Sequence, residues 1–152
     1  MDERVRCYIK GMGIAYRADR LHGCTVSIWD GDVTAEDVRR HLGSLAADNN
    51  WPAGRAHLTD LTTMTSADVP DPELLDLLYE GTTLADDLRI AVVVRSEPSF
   101  ETMHRYEIAT DKISATTFHD LAPACAYLGL NAPAVQAMLA ELRQELAPTA
   151  LP

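Results

Sequence analysis

The sequence predicts an α/β fold: a mixed sheet with parallel central strands and flanking helices. Three short β-type runs, at residues 55–61, 88–94 and 113–118, alternate with two helix-type runs. Strands that alternate with helices are typical of βαβ crossovers, which join parallel strands. The apolar part of the second run, residues 90–94, suits a strand covered on both faces. We therefore expect these three runs to be neighbouring parallel strands.

The N-terminal part predicts a hairpin followed by a helix. Residues 14–29 contain two β-type runs around Gly23, which can supply the positive φ that a tight turn requires. Residues 30–32 predict a turn, and Thr34 is expected to cap the helix that follows, whose first turn is acidic. The apolar face of this helix is predicted to consist of Val38, Leu42, Leu45 and Ala46.

Four further helices are predicted along the rest of the chain. Asp71 and the proline after it predict a helix start, with leucines inward at 74–78. Ser96 opens a helix that carries residues 100–103 inward, and another helix ends near Gly129. Asn131 caps the last helix, whose apolar stripe would be core or a dimer face. The stripe consists of Val135, Met138, Leu139, Leu142 and Leu146.

Length and charge limit the classes of function. A chain of 152 residues suits a single domain, here 1–152, that needs no disulfide or metal to fold. The 13 Lys and Arg against 23 Asp and Glu give a net charge of −10. Such a surface repels phosphate backbones, so nucleic acid is not an expected partner. It could steer a basic protein, although a solvated acidic surface is the simpler explanation of this charge.

The cysteines and the hydropathy exclude other classes. Cys7, Cys24 and Cys125 are widely spaced, which predicts neither a disulfide framework nor a zinc site, and no cofactor motif is present. Residues 1–15 are charged and lack the apolar stretch of a signal peptide. No run approaches the roughly 20 apolar residues of a membrane span. We therefore expect a cytoplasmic protein without membrane insertion.

The order hairpin, α, β, α, β, α, β, α resembles that of a known superfamily. The local matches are VSIWDGDVTAEDV (26–38), HLTDL (57–61), RIAVVV (89–94), MHRYE (103–107), TFHDL (117–121) and AYLG (126–129). They resemble the STAS domain superfamily of sulfate transporters and anti-sigma-factor antagonists, and within it the SpoIIAA-like branch, which is also similar to lipid-binding Sec14-type folds. The resemblance covers residues 14–130 and leaves the helix at 131–146 outside it.

This resemblance implies a regulatory module, in some members switched by phosphorylation. In those members a kinase modifies a serine at the start of the helix after the central strand. Here Ser66, or alternatively Thr65, occupies the nearest position. This chain lacks the glycine of the family's Asp-Ser-Ser-Gly-type loop. A departure of this kind is common in the SpoIIAA-like branch, which often has the fold without the switch.

The candidate binding residues follow the predicted strands, because ligands of open α/β sheets bind outside the carboxyl ends of the strands. They are Asp60, Thr62, Thr63, Thr65, Ser66, Arg95 and Ser96. Helix N-termini at this edge could hold an anion or a phosphoryl group. The alternative is that the short polar side chains satisfy the backbone of a turn and that Arg95 makes a salt bridge or a helix cap.

The histidines give only a weak prediction of catalysis. His57 alternates with Leu58 on a central strand, as a packed and hydrogen-bonded histidine would. His119 could be oriented by Asp120, but the sequence has no nucleophile elbow. A small hydrolase that uses either histidine is therefore the least supported alternative, and we expect no enzyme activity, no catalytic residues and no metal.

Two hypotheses of function remain. The first is a non-enzymatic regulatory or binding module that contacts a partner protein through the loop and helix start at 60–70. The alternative is a protein that binds a small apolar or lipid-like molecule between the sheet and the helices containing 74–78 and 100–103. A homodimer through the last helix or the hairpin edge is also expected, because an open edge strand needs cover.

Overall fold

The structure, a computed structural model, describes residues 13–68, 88–95 and 114–146. They form seven strands: β1 (Ile14–Asp19), β2 (Cys24–Trp29), β3 (Gly31–Thr34), β4 (Ala56–Asp60), β5 (Met64–Asp68), β6 (Arg89–Val93) and β7 (Ser114–Phe118). They also form three helices: α1 (Ala35–Ala47), α2 (Leu121–Leu128) and α3 (Ala132–Leu146). The helices predicted over residues 71–81 and 96–110 lie outside the described residues.

Five strands form the main sheet in the order β1-β2-β4-β6-β7. β1 pairs antiparallel with β2, as the predicted hairpin requires, and every other pair is parallel. The prediction that residues 55–61, 88–94 and 113–118 form adjacent parallel strands is confirmed. The carboxyl ends of these strands therefore meet at one edge of the sheet, where the candidate binding residues are predicted to lie.

The predicted helix ends are confirmed in atomic detail. The Thr34 hydroxyl accepts a hydrogen bond from the Asp37 backbone N–H at 3.1 Å, and the Asp37 carboxylate accepts one from the Thr34 N–H at 3.0 Å. This reciprocal pair satisfies two N–H groups that a helix start leaves open. Asn131 accepts from the Ala134 N–H at 2.9 Å and caps α3, and Gly129 ends α2 at φ 71°.

Two predictions in the loops were wrong. Residues 30–32 were expected to be a turn before the helix cap at Thr34, but Gly31–Thr34 forms β3. Met64–Asp68 was expected to belong to a polar loop, but it forms β5. The two strands pair in parallel as a small second sheet. The β-branched Thr65 favours an extended backbone, and β3 buries Val33 completely.

The two faces of the main sheet are covered by different helices. α2 and α3 pack on one face, where Val26, Leu58 and Leu142 belong to one buried cluster. The predicted stripe of α3 lies in this cluster, so it is core. α1 packs on the other face, where Val38 joins a cluster with Trp29 and Val92.

The inward face of α1 differs from the prediction in two positions. Ala46 is exposed, whereas His41 is buried between Val38 and Leu45. A helix turns about 100° per residue, which places Ala46 about 80° away from Val38 and leaves His41 nearer to the centre of the face. A polar side chain therefore enters the core from α1.

Candidate functional site

The candidate residues gather where the parallel strands end. Ile28, Asp60, Val93 and Phe118 are aligned across β2, β4, β6 and β7. The chain leaves this line at Leu61, whose N–H donates to the Val93 carbonyl at 2.8 Å. The register therefore brings Thr62 and Arg95 to the same edge of the sheet.

Asp60 is buried and holds this edge together. One carboxylate oxygen accepts from the Thr62 backbone N–H at 2.8 Å, which closes an Asx-type turn. The other accepts from the Arg143 guanidinium at 2.5 Å. The same guanidinium lies 3.5 Å from the Thr62 hydroxyl. Both carboxylate oxygens therefore have structural partners, and the last turn of α3 is fixed to the turn after β4.

Backbone hydrogen bonds fix the rest of this turn. The Met64 N–H donates to the Leu61 carbonyl at 3.1 Å, and the Gly31 N–H donates to the Thr63 carbonyl at 3.0 Å. The Thr63 hydroxyl is buried without a hydrogen-bond partner among the described residues. The segment is thus a short ordered connection between β4 and β5 rather than the open loop expected for residues 60–70.

Thr65 and Asp32 form an exposed polar pair on the small sheet. The Thr65 hydroxyl donates to an Asp32 carboxylate oxygen at 2.9 Å. Ser66 lies opposite Asp32 in the β3–β5 register, and the orientation of its side chain is outside the described part. Of the two hydroxyls that the sequence proposed for modification, Thr65 is therefore the one with a defined, solvent-exposed position.

Arg95 is exposed one residue beyond the buried Val94 at the end of β6. Ser96 lies outside the described residues. We define the strand-end surface as Asp32, Thr62, Thr63, Thr65 and Arg95.

The two histidines considered for catalysis do not share a site. His57 is aligned with Ile90 and Ala115 near the start of the strands, whereas His119 follows the end of β7. Four residues along a strand span about 13 Å. His57 is buried on the α1 face and His119 is exposed at the strand ends, so they cannot act on one substrate atom.

A buried polar patch lies under α1 and was not predicted. It consists of the buried Thr25, Ser27, His41 and His57 and the partly buried Thr59. Burial lowers the pKa of His41 to about 3, with a smaller contribution from the charge of His57, and burial lowers the pKa of His57 to about 4. Both imidazoles are therefore neutral near pH 7. His41 could have been found from its helical spacing to Val38 and Leu45.

The described cysteines and acidic residues give no reactive or metal centre. Burial raises the pKa of the Cys24 thiol to about 11 and also raises that of Cys125, so both remain protonated near neutral pH. The residues in the described ranges contain no group of three or more His, Cys, Asp or Glu side chains placed to hold a metal ion. None of the described helices has the length and apolar character needed to cross a membrane.

Comparison with protein-family models and with curated protein sequences gave no match. Among solved structures, the chain resembles an uncharacterised protein from the DUF3478 family, with a SpoIIAA-like fold, from Shewanella loihica PV-4. The TM-score is 0.55 at 20% identity, and the match covers 80% of this chain and 98% of that one. The chain has a SpoIIAA-like fold. The resemblance read from the sequence is thereby confirmed at the level of the fold.

Proposed function

We propose that this SpoIIAA-like chain is a non-enzymatic regulatory or binding module that recognises a partner protein through the strand-end surface. The observation that carries the proposal is the exposed Thr65–Asp32 pair on the small β3–β5 sheet. The contact between Asp60 and Arg143 fixes the turn that leads into β5. Polar groups held in place before binding lose little conformational entropy when a partner contacts them. This geometry suits recognition at a surface.

Arg95 supplies the charge that would orient such a partner. It is an exposed cation at the edge of a chain whose net charge is −10. A guanidinium can bind a carboxylate through two parallel hydrogen bonds, so an acidic side chain of the partner fits this position. The acidic remainder of the surface would speed the approach of a partner that is otherwise basic.

Phosphorylation would alter this surface through charge. A phosphate on Thr65 would add about −1.5 to −2 charge at neutral pH. The Thr65 hydroxyl now donates to Asp32, so a phosphate there would face a carboxylate and break the contact. We expect this modification, or modification of Ser66, to weaken binding of a partner that contacts Arg95 through a carboxylate.

The test is a pull-down with four versions of the chain as bait. Wild type, Arg95→Ala and Thr65→Val are compared with Arg40→Ala, a matched control in which an exposed arginine is removed from α1. We expect at least one protein that wild type and the control recover equally and that the Arg95 variant recovers about tenfold less, which corresponds to roughly 1.4 kcal/mol. Equal recovery by all four baits would contradict the proposed surface.

The switch is tested separately by mapping phosphorylation on the chain isolated from its own cells. Modification at Thr65 or Ser66 that lowers recovery of the same partner would support it. If the partner binds but residues 62–68 carry no phosphate under any growth condition, the proposed interaction is supported and the proposed phosphorylation switch is contradicted.

A further inference from the structure

Two ion pairs attach α3 to different parts of the main sheet. The Arg17 guanidinium on β1 donates to the Glu141 carboxylate at 2.6 Å. The Arg143 guanidinium donates to the Asp60 carboxylate at the end of β4 at 2.5 Å. In the order of the sheet, β2 lies between β1 and β4. The helix therefore has one ionic contact at the strand ends and another away from them.

The contact at the strand ends continues into the following turn through consecutive hydrogen bonds. The other carboxylate oxygen of Asp60 accepts from the Thr62 backbone N–H at 2.8 Å. The Met64 N–H donates to the Leu61 carbonyl at 3.1 Å, and β5, which contains Thr65, begins at Met64. A displacement of Asp60 therefore reaches the strand-end surface within a few residues.

The burial of Asp60 gives this connection its energetic weight. Its side chain is 6% exposed, whereas that of Arg143 is 38% exposed. A buried carboxylate that loses its cation must regain water or another polar partner. Because the same carboxylate bonds the Thr62 N–H, its movement toward water displaces the turn as well. Removal of the Arg143 guanidinium should therefore disturb the turn, while the apolar stripe keeps α3 in the core.

We propose that Arg143 is a positioning residue for partner recognition: through Asp60 it sets the turn at residues 61–64 and thereby the position of Thr65 on the strand-end surface. The inference rests on the proposed function and adds its regulation, because a change that displaces the last turn of α3 would weaken partner binding. Coupling between two sites is reciprocal, so a bound partner would in turn hold the last turn of α3 more firmly.

The first measurement needs no partner and follows amide hydrogen exchange by NMR on the full chain labelled with ¹⁵N. Arg143→Met should speed exchange at the Thr62 and Met64 amides by about tenfold, because a hydrogen bond to a buried charge is lost. Glu141→Gln removes the ionic contact on β1 and is the matched control, which should leave both amides unchanged. Arg143→Lys keeps a cation beside Asp60 and should give an intermediate rate, and it replaces Arg143→Met if that variant fails to fold.

The double variant Asp60→Asn with Arg143→Met separates positioning from direct contact with the partner. Asparagine keeps an oxygen that can accept the Thr62 N–H, and it carries no charge that requires a cation. Affinity is measured for the protein whose recovery in the pull-down depends on Arg95. We expect Arg143→Met to weaken binding about tenfold and the double variant to return to within about threefold of wild type. Glu141→Gln should bind like wild type.

The outcomes separate this inference from the proposed function. Equal exchange at Thr62 and Met64 in wild type and Arg143→Met overturns the positioning role. A double variant that binds as weakly as Arg143→Met also overturns it, because Arg143 then contacts the partner itself. A partner that depends on Arg95 but binds Arg143→Met as it binds wild type overturns the coupling and supports the proposed function. If no recovered protein depends on Arg95, the proposed function fails, whereas faster exchange in Arg143→Met still supports the role of Arg143 in setting the turn.

Discussion

The two faces of the main sheet are built from the same strands but bury different kinds of side chain. Toward α2 and α3, β2 and β4 contribute Val26, Ile28 and Leu58, and α3 completes an apolar layer with Leu139 and Leu142. Toward α1, the same two strands contribute Thr25, Ser27, His57 and Thr59. The apolar residues on that side surround the polar patch.

The two faces of the sheet therefore contribute differently to the stability of the fold. The α2/α3 face is explained by removal of apolar surface from water, which drives folding without any ligand. On the α1 face, each buried polar atom without a partner costs about 1–3 kcal/mol, and several are present. A layer that served stability alone would replace them with apolar side chains. We therefore assign the main stabilising role to the α2/α3 face.

The largest expected effect comes from the apolar face. Leu58 is fully buried at the centre of β4, so Leu58→Ala should lower the free energy of unfolding by about 2–5 kcal/mol through lost burial and the cavity left behind. Urea unfolding measures the change. Leu21→Ala is the matched control, because Leu21 is 90% exposed, and it should change stability by less than about 0.5 kcal/mol. Similar values for the two variants would contradict the assignment of this face to the core.

The second expected effect is a pH dependence that originates on the α1 face. In the unfolded chain a histidine has a pKa of about 6.5, whereas the pKa is about 4 for His57 and about 3 for His41 in the folded chain. Between these values the unfolded state binds more protons. The free energy of unfolding should therefore fall as the pH falls below about 6.5.

Between pH 7.5 and 5.5 the loss should be about 1.4 kcal/mol for each of the two histidines. Urea unfolding at the two pH values measures it, in a range above the usual titration of carboxylates. His57→Phe should remove about half of the loss, and Leu21→Ala, which removes an exposed side chain that does not titrate, should leave it unchanged. A loss that is the same in wild type and His57→Phe would show that His57 is not held neutral by burial.

Much of the apolar architecture could be predicted because its determinants are local. Continuous β-branched residues identify β6, alternation identifies β4, and Thr34, Gly129 and Asn131 each have the side chain that a helix end requires. Parallel pairing then follows from the alternation of strands and helices. The same reasoning predicts that Asp60, Thr62 and Arg95 lie at one edge of the sheet.

The remaining features depend on contacts between distant residues. Asp60 and Arg143 are 83 positions apart, and nothing in either local sequence indicates that they pair. The strand β5 exists because β3 lies beside it, so Thr65, which also suits a loop, is part of a sheet. The polar patch needs Ser27, His41 and Thr59 together, although each residue alone fits an ordinary exposed position.

The third prediction concerns the contact that fixes the strand-end surface. Arg143→Met keeps the apolar stem but removes the guanidinium that bonds the buried Asp60 carboxylate. Because the Arg143 side chain is 38% exposed, water can partly replace the lost bond, and we expect a loss of about 1–2 kcal/mol rather than more. Arg40→Met on α1 is the control, with a change below about 0.5 kcal/mol. Equal effects would mean that the contact does not stabilise this edge.

The smallest effect is expected where the two faces differ most, at the hydrogen bond between Ser27 and Thr59. Ser27→Ala alone leaves the partly buried Thr59 hydroxyl without this partner and should cost about 1 kcal/mol, whereas Ser27→Ala combined with Thr59→Val removes both polar groups and should be nearly neutral or stabilising. A double-mutant cycle in urea isolates the coupling between them. If the double variant is as stable as wild type, the fold does not require the two hydroxyls. If it is several kcal/mol less stable, the polar groups support the fold after all, and the contrast between the two faces has a purely structural cause.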